Sequence, residues 1–290
     1  MAPNAAPGFK PGRLYQIRHR MYNGGMQSAI ATALAGLPLG RVEFFPSVGS
    51  TNDVVSGWLD SGAADLSLAV ADEQTAGRGR AGRRWYTPAG AALAFSVLLL
   101  PRGGDSSTQI GRYSGLGALA VHSALTELGL QALIKWPNDV LIDGAKVCGV
   151  LAEARWQGER PAAVILGIGL NLRRAALPDA PLNFPATCIE AHLDPPPERW
   201  PLLGRILEQL LVWRAKIDSP DFLKAWQERL AYRDRQVQLT SEGAAPITGT
   251  LVGLAPDGRL SLRLASGEVR LISAGEVQLR VTDDPSSVTD

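Results

Sequence analysis

Residues 74–85 read Gln-Thr-Ala-Gly-Arg-Gly-Arg-Ala-Gly-Arg-Arg-Trp, a stretch with three glycines, four arginines and no acidic residue. Arginines this close together repel one another unless an anion binds between them, and glycines let backbone N–H groups approach that anion. The stretch follows residues 66–71, which have the apolar pattern of a β-strand. These residues predict a loop at the end of a strand that binds phosphate or carboxylate groups.

The composition narrows the class of protein. The 290 residues are 46% hydrophobic with a net charge of +1, which fits one substantial core plus a small second domain and no strongly basic surface. No apolar run approaches the roughly 18 residues that span a bilayer, and no secretory signal is recognisable. We therefore expect a cytoplasmic protein without membrane contact. Cys148 and Cys188 have no metal-ligand or redox spacing and are expected to be buried thiols.

Residues 1–40 are expected to form a partly disordered N-terminal extension. Residues 1–41 contain Lys10, Arg13, Arg18, Arg20 and Arg41 but no acidic residue, a bias shared with organelle transit peptides, although the segment is rich in Pro and Gly and poor in Ser. Only residues 26–37 have the pattern of a helix. A three-helix DNA-binding module before the first strand is therefore not expected.

The remaining chain reads as a strand-rich core followed by a small β-domain. Helices are predicted over residues 108–128, 200–217 and 219–232, and strands over residues 41–45, 66–71, 91–100, 132–136, 140–142, 146–156 and 162–172. Residues 50–52, Ser-Thr-Asn, precede another helix and either cap it or bind a small polar ligand. Five short β runs between residues 236 and 282 predict a small β-barrel.

Three polar clusters on the predicted core suggest a nucleotide triphosphate site. They are Arg78 with Arg80, residues 135–139 with Lys146, and Asn171. Neither a Walker sequence nor a dinucleotide fingerprint occurs. The three histidines (His19, His122 and His192) have no catalytic context. A reaction in which a substrate carboxylate attacks the α-phosphate of ATP fits this set, because it needs positioning and charge neutralisation more than proton transfer.

Several blocks, in matching order and spacing, resemble the signature sequences of biotin protein ligases. They are residues 77–85, Lys-Trp-Pro-Asn-Asp at 135–139 followed by Lys-Val-Cys-Gly at 146–149, and Gly-Ile-Gly-Leu-Asn at 167–171. Residues 50–52 and 186–187 match as well. The resemblance extends over about residues 41–282.

The resemblance implies an α+β fold in which helices flank a mixed or antiparallel central sheet, similar to the catalytic domain of class II synthetases. A small C-terminal SH3-like β-barrel follows, so the expected domains are residues 41–232 and 236–282. The implied reaction joins biotin and ATP, with Mg²⁺, into biotinyl-5′-AMP and then transfers biotin to a lysine of a biotin carboxyl carrier protein. The resemblance is to the monofunctional members, so DNA is not an expected partner, and a homodimer is plausible by analogy.

The resemblance also assigns roles to individual residues. Lys146, Arg78 and Arg80 are expected to be catalytic. The residues expected to bind biotin are Ser50, Thr51, Asn52, Gln74, Gly77, Arg78, Arg80, Lys146, Gly149, Gly167 and Gly169. Those expected to bind ATP are Arg78, Arg80, Trp85, Asn138, Lys146 and Asn171. No direct metal ligand is expected, because magnesium would be carried by the ATP phosphates.

One departure and two alternatives accompany this interpretation. Ala81 stands where the family often has a third basic residue of the loop. A lipoate or octanoate ligase shares the catalytic fold and the transfer to lysine, but its signatures differ. An RNA-binding segment could also combine arginines with Trp85, but residues 74–85 lie between predicted strands instead of in a low-complexity tail.

Overall fold

The computed structural model of the protein describes residues 24–101, 110–241, 244–273 and 278–282. Most of the predicted extension, including His19, lies outside these residues, as do the first two residues of the helix predicted from residue 108. The described part contains two β-sheets and five α-helices, which confirms the predicted α+β class. None of its helices is long and apolar enough to cross a membrane. The domain limits at residues 232 and 236 stay predictions.

The larger sheet has seven strands in the order β1-β2-β3-β7-β6-β5-β4. Only β1 and β2 are parallel, so the sheet is mixed. β3 is buried on both faces, as its apolar run predicts. The strands are β1 (Val42–Val48), β2 (Leu68–Gln74), β3 (Ala92–Leu99), β4 (Ala132–Lys135), β5 (Asp139–Ile142), β6 (Ala145–Gln157) and β7 (Arg160–Asn171).

Helices cover both faces of this sheet. The helices are α1 (Gly24–Ala33), α2 (Thr51–Asp60), α3 (Ile110–Glu127), α4 (Arg199–Arg214) and α5 (Pro220–Glu228). α2 packs Val55 and Trp58 against Leu98 and Ile165 on one face. α3 and α4 pack on the other, where the side chains of the alternate strand residues point. This arrangement places the N-terminus of α2 beside Gln74 at the end of β2, Ser96 of β3 and Gly167 of β7.

The smaller sheet is antiparallel, in the order β11-β10-β9-β8-β12. Its strands are β8 (Gln236–Ser241), β9 (Ala244–Leu254), β10 (Leu260–Arg263), β11 (Val269–Ile272) and β12 (Gln278–Val281). Val237, Leu251 and Leu262 form its buried side. Among the described residues β11 and β12 do not pair, so the sheet is not a closed barrel and that part of the prediction is corrected.

Two predicted helices end earlier than their sequence pattern indicates. α5 stops at Glu228 because the following residues pair with β4: Ile134 N donates to Arg229 O (2.7 Å) and Ala231 N donates to Ile134 O (2.8 Å). α4 stops at Arg214, after which the chain forms tighter turns with bonds between residues three apart. In both places tertiary or local hydrogen bonds replace the helical ones.

Hydrogen bonds join the smaller sheet to the larger one. Arg112 of α3 donates to the carbonyl of Pro256, and Trp136 Nε1 donates to Gly258 O at 3.1 Å. Leu254 N donates to Gln227 Oε1 at 3.1 Å. These contacts hold the smaller sheet against the end of the larger one, where β12 reaches the cavity described below.

Substitution of two glycines of α3 tests this packing. A Cβ on Gly115 would lie 2.5 Å from the Trp226 ring, whereas a Cβ on Gly111 would have its closest neighbour, Asp257 O, at 3.7 Å. Gly115→Ala is therefore expected to lower the free energy of unfolding by about 1–3 kcal/mol through overpacking. Gly111→Ala is expected to leave it unchanged or raise it by up to about 1 kcal/mol, because alanine favours the helix. Urea unfolding measures both, and equal stability of the two variants would contradict the packing.

Candidate active site

A cavity of about 340 Å³ lies between residues 77–85 and the surface of the large sheet. It is lined by every predicted site residue except Gly77: Ser50, Thr51, Asn52, Gln74, Arg78, Arg80, Trp85, Asn138, Lys146, Gly149, Gly167, Gly169 and Asn171. The volume is within the range of small-molecule sites. The structure therefore brings together residues that lie up to 121 positions apart, from Ser50 to Asn171.

Residues 77–85, hereafter the arginine hairpin, form a short β-hairpin. Trp85 N donates to Gly77 O (2.8 Å), and Gly79 N donates to Arg83 O (2.6 Å). At the tip, Ala81 and Gly82 have φ of 53° and 68°, which is the backbone of a type I′ turn. Gly77 serves this hairpin instead of lining the cavity, because a Cβ there would lie 2.5 Å from Trp85 O. Ala81 thus occupies a left-handed position that a residue with a side chain adopts at a cost of roughly 1–2 kcal/mol.

A polar cluster forms the floor of one end of the cavity. Ser96 Oγ, fully buried on β3, lies 2.7 Å from Thr51 Oγ1 and 2.5 Å from Asn52 Oδ1. Thr51 N donates to Gln74 Oε1 at 2.9 Å. Ser50 is the N-cap residue of α2, but its side chain makes no capping bond. Ser96 was not predicted, and a single hydroxyl within an apolar strand was the available signal.

Glycines of β6 and β7 allow side chains to approach the sheet closely. A Cβ on Gly167 would lie 2.3 Å from Asn52 Oδ1, and one on Gly169 would lie 2.2 Å from Trp85 Nε1. On Gly149 it would lie 3.1 Å from Trp85 Cζ3. The side chains that lie closest to these glycines are therefore the protein's own Asn52 and Trp85. Trp85 Nε1 is buried and has no hydrogen-bond acceptor within the described residues.

Cations concentrate at the other end of the cavity. Lys146 Nζ lies 2.6 Å from Asp139 Oδ1, and Lys135 Nζ lies 3.9 Å from Asp139 Oδ2. Arg80 Nη1 donates to Asn138 Oδ1 at 3.2 Å, and burial lowers the pKa of Arg80. One carboxylate thus faces three cationic side chains, an excess of positive charge suited to a polyphosphate.

Lys135 is the most perturbed of these cations. Its pKa is lowered to about 8, mainly by burial and to a smaller extent by the nearby charges of Lys146, Arg280 and Arg83, while Asp139 opposes this shift. Its Nζ lies 4.1 Å from the centre of the Phe184 ring, and Arg280 of β12 lies 5.7 Å from the same ring. Phe184 and Arg280 were not predicted, because neither belongs to a sequence block and both depend on how the chain folds back over the cavity.

Arg78 faces carboxylates instead of the cation cluster. Its Nη1 lies 2.6 Å from both carboxylate oxygens of Asp53, and its Nη2 lies 3.2 Å from Glu153 Oε2. The hydrogen bond with Asp53 is the main cause of a raised pKa of Arg78. Both acids were missed by sequence reasoning, although Asp53 directly follows the Ser-Thr-Asn motif.

Backbone and side-chain bonds fix the two asparagines. Asn138 Nδ2 donates to Val150 O (2.7 Å), and Val150 N donates to Asn138 O (2.9 Å). Asn171 Nδ2 donates to Thr187 O at 3.0 Å. The segment that holds Thr187 also runs beside Lys146, whose backbone pairs with Ala186. The predicted motif 186–187 therefore supports both Lys146 and Asn171.

The two described histidines and the two cysteines do not line the cavity. His122 is buried on α3, and burial lowers its pKa to about 4. His192 Nε2 lies 2.9 Å from Thr187 Oγ1. Cys148 and Cys188 are buried free thiols, as predicted, and burial raises the pKa of Cys148.

Comparisons with protein families match both parts of the chain. The model of the Biotin/lipoate A/B protein ligase family matches residues 44–171, and that of the Biotin protein ligase C terminal domain matches residues 234–280. Over 235 residues the chain is 35% identical to the biotin--[acetyl-CoA-carboxylase] ligase of Paracoccus denitrificans. That match covers 76% of this chain and 92% of the relative.

Solved structures agree with this match. A biotin protein ligase from Aquifex aeolicus in complex with biotin and ATP superimposes with a TM-score of 0.71 and 29% identity, over 83% of this chain and 99% of that one. A biotin protein ligase from Leishmania major in complex with biotinyl-5-AMP gives a TM-score of 0.53 and 26% identity, over 81% and 99%.

The low pKa of Lys135 predicts a dependence of stability on pH. Between pH 8 and the ordinary value of 10.5 the unfolded chain binds more protons at this lysine than the folded chain does. The free energy of unfolding, measured relative to Lys135→Met, should therefore rise across this interval, by an amount on the order of 3 kcal/mol. Below pH 8 the charged lysine destabilises the wild type by a constant amount. Urea unfolding at several pH values measures this difference, and a difference that is independent of pH would contradict the burial of the amine.

Proposed function

The chain belongs to the biotin protein ligase family, and we propose that the cavity beneath the arginine hairpin is where it activates biotin. The protein is a ligase that converts biotin and ATP to biotinyl-5′-AMP and transfers biotin to a lysine of an acceptor protein. The observation that carries the assignment of the site is that one 340 Å³ cavity has a neutral polar floor at one end and a cation cluster at the other. These ends suit a small uncharged ring and a polyphosphate respectively.

The polar floor is the proposed site of the ureido ring. Its hydroxyl and amide groups come from Ser50, Thr51, Asn52 and Gln74, which can donate to and accept from the ring's carbonyl and N–H groups. Gly167 and Gly169 provide a flat wall on which Asn52 and Trp85 already lie. The buried N–H of Trp85 supplies one further donor at the boundary between the two ends.

The first step joins the biotin carboxylate to the α-phosphate. A carboxylate oxygen forms a bond to the α-phosphorus, the bond from that phosphorus to the bridging oxygen breaks, and pyrophosphate leaves with the electron pair. No proton moves, so the protein's task is to bring two anions together and neutralise their charge. Lys146 suits this task because one compact ammonium can face both anions, and Asp139 at 2.6 Å orients it.

Arg80 and the asparagines are the proposed phosphate and nucleotide contacts. Arg80 lines the cavity and donates to the neutral carboxamide of Asn138, which places its guanidinium where phosphate oxygens can bind. Asn138 and Asn171 would contact the nucleotide together with the Mg²⁺ that it carries on its phosphates, and the Mg²⁺ would neutralise part of the phosphate charge. Within the described residues no group of three carboxylate, histidine or cysteine side chains is placed to hold a metal by itself.

The second step transfers biotin from the adenylate to a lysine. The neutral amine attacks the acyl carbon, the bond to the phosphate oxygen breaks, AMP leaves and the nitrogen loses a proton. Until then the mixed anhydride must be kept from water, a role suited to the arginine hairpin and Trp85 above it. The relatives' names point to acetyl-CoA carboxylase as the acceptor. A biotin carboxyl carrier protein as the acceptor domain, a homodimer, a cytoplasmic location and the lack of a DNA-binding role stay predictions.

Biotin is favoured over lipoate by the C-terminal part of the chain. The family model over residues 44–171 covers both biotin and lipoate ligases, but the model over residues 234–280 is specific to biotin protein ligases. This second region also places Arg280 at the cavity. No observation favours an RNA-binding module.

Exchange of labelled pyrophosphate into ATP tests the proposed function. The wild-type protein should catalyse exchange with biotin and not with lipoate or octanoate. Lys146→Ala should reduce the rate by at least roughly 10²–10³, because it removes a donor aimed at developing charge. The protein should stay folded, since the Lys146 side chain is 24% exposed.

Lys216→Ala is the control for that experiment, because Lys216 is paired with the Trp213 ring away from the cavity. It should exchange at the wild-type rate. Equal exchange with lipoate would contradict the preference for biotin and indicate a lipoate ligase instead. Wild-type exchange by Lys146→Ala would remove Lys146 from the mechanism.

A further inference from the structure

Glu153 connects two parts of the cavity that are far apart in sequence. It lies on β6, and its Oε2 accepts a hydrogen bond from Asn52 Nδ2 at 2.6 Å. The same oxygen lies 3.2 Å from Arg78 Nη2. One carboxylate therefore contacts both the amide of the polar floor and an arginine of the hairpin.

Arg78 is held on its other side by Asp53. Its Nη1 lies 2.6 Å from both carboxylate oxygens of that residue, so both terminal nitrogens of the guanidinium face acids. An arginine paired in this way cannot present its two-pronged edge to a phosphate or carboxylate without breaking one of these pairs. Arg80 instead donates to the neutral carboxamide of Asn138.

We propose that Glu153 is a positioning residue that fastens the arginine hairpin to Asn52 through Arg78. In this arrangement Arg78 anchors the hairpin and Arg80 contacts the anions. The carboxamide of Asn52 is oriented by Glu153 on one side and by Ser96 on the other, so the floor and the hairpin adopt their positions together. The inference rests on the proposed function, because it assigns a role within the proposed biotin site.

We expect loss of the Glu153 carboxylate to increase local opening of the arginine hairpin more than it lowers the stability of the whole protein. Arg78 and Glu153 are each about 40% exposed, and ion pairs of this exposure contribute little to the stability of the whole protein. Local opening of a nine-residue hairpin is more sensitive to the loss of one anchor than unfolding of the whole protein is.

The chain offers a closely matched control in Glu127 of α3. Its carboxylate lies 3.2 Å from Arg205 Nη1 and accepts a hydrogen bond from Gln209 Nε2 at 2.5 Å. The side chains of Glu127 and Glu153 are both 39% exposed. Each acid thus binds one arginine and one amide, but neither Glu127 nor its partners line the cavity.

Limited digestion by trypsin tests the anchor on the full chain, with peptides identified by mass spectrometry. Without added biotin, Glu153→Gln should be cleaved within residues 78–84 roughly threefold to tenfold faster than wild type, while Glu127→Gln matches wild type. In pyrophosphate exchange, Glu153→Gln should raise the KM for biotin by more than it lowers kcat. Glu153→Asp should recover part of both effects. Thermal unfolding of all variants checks that they fold.

The proposal is overturned if Glu153→Gln and Glu127→Gln behave alike in both measurements. It is also overturned if Glu153→Gln lowers kcat alone with wild-type cleavage, because that result assigns Glu153 to the chemistry. A wild-type protein without biotin-dependent exchange would refute the proposed function, whereas the digestion result would still decide the anchoring role.

Discussion

The close approach of Asn52 and Trp85 to the glycines of β6 and β7 is the contact on which the site depends. A Cβ atom added to Gly167 would lie within 2.3 Å of Asn52, and one added to Gly169 would lie within 2.3 Å of Trp85. Either substitution would therefore displace the side chain packed against that glycine. Asn52 is hydrogen-bonded to Ser96 and to Glu153, and Trp85 is the last residue of the arginine hairpin. The polar floor, the glycine wall and the arginine hairpin are therefore all positioned by contacts with the neighbouring strands β6 and β7.

The second constraint is electrostatic. The arginine hairpin brings four arginines toward a wall that already contains Lys135 and Lys146, and Asp139 is the acid between those two lysines. The protein neutralises only part of this positive charge with its own carboxylates. Arg78 is neutralised by Asp53 and Glu153, whereas the others leave an excess that two substrate anions can balance. The depressed pKa of Lys135 reflects the cost of holding that excess in a buried place.

The residues that belong to contiguous sequence motifs could be predicted from the sequence, whereas those that reach the site only through folding could not. Arg80, Asn138, Lys146 and Asn171 could be predicted because each sits in a motif with recognisable chemistry. Glu153, Ser96, Phe184 and Arg280 could not, because each is an ordinary residue of a strand or loop until another segment packs against it. The end of α5 was misjudged for a similar reason, since its last predicted turn is used to pair with Ile134.

The smaller sheet also has features that its sequence does not predict, in this case the pairing of whole strands. Its five strands were predicted from short apolar runs and turn residues, but the predicted closure into a barrel was wrong, because among the described residues the two edge strands do not pair. Its attachment through Arg112 and Trp136 also has no sequence signal. Arg112 Nη2 and Trp136 Nε1 donate to backbone carbonyls, which any residue supplies, so only the fold identifies the partners.

We propose that a biotin carboxylate oxygen attacks the α-phosphorus of ATP in this cavity. Biotin labelled with ¹⁸O in both carboxylate oxygens can be supplied with ATP and an acceptor protein, and the mass of the nucleotide product measured. We expect AMP that carries one ¹⁸O atom per biotin transferred. Unlabelled AMP, or ADP as the product, would contradict it.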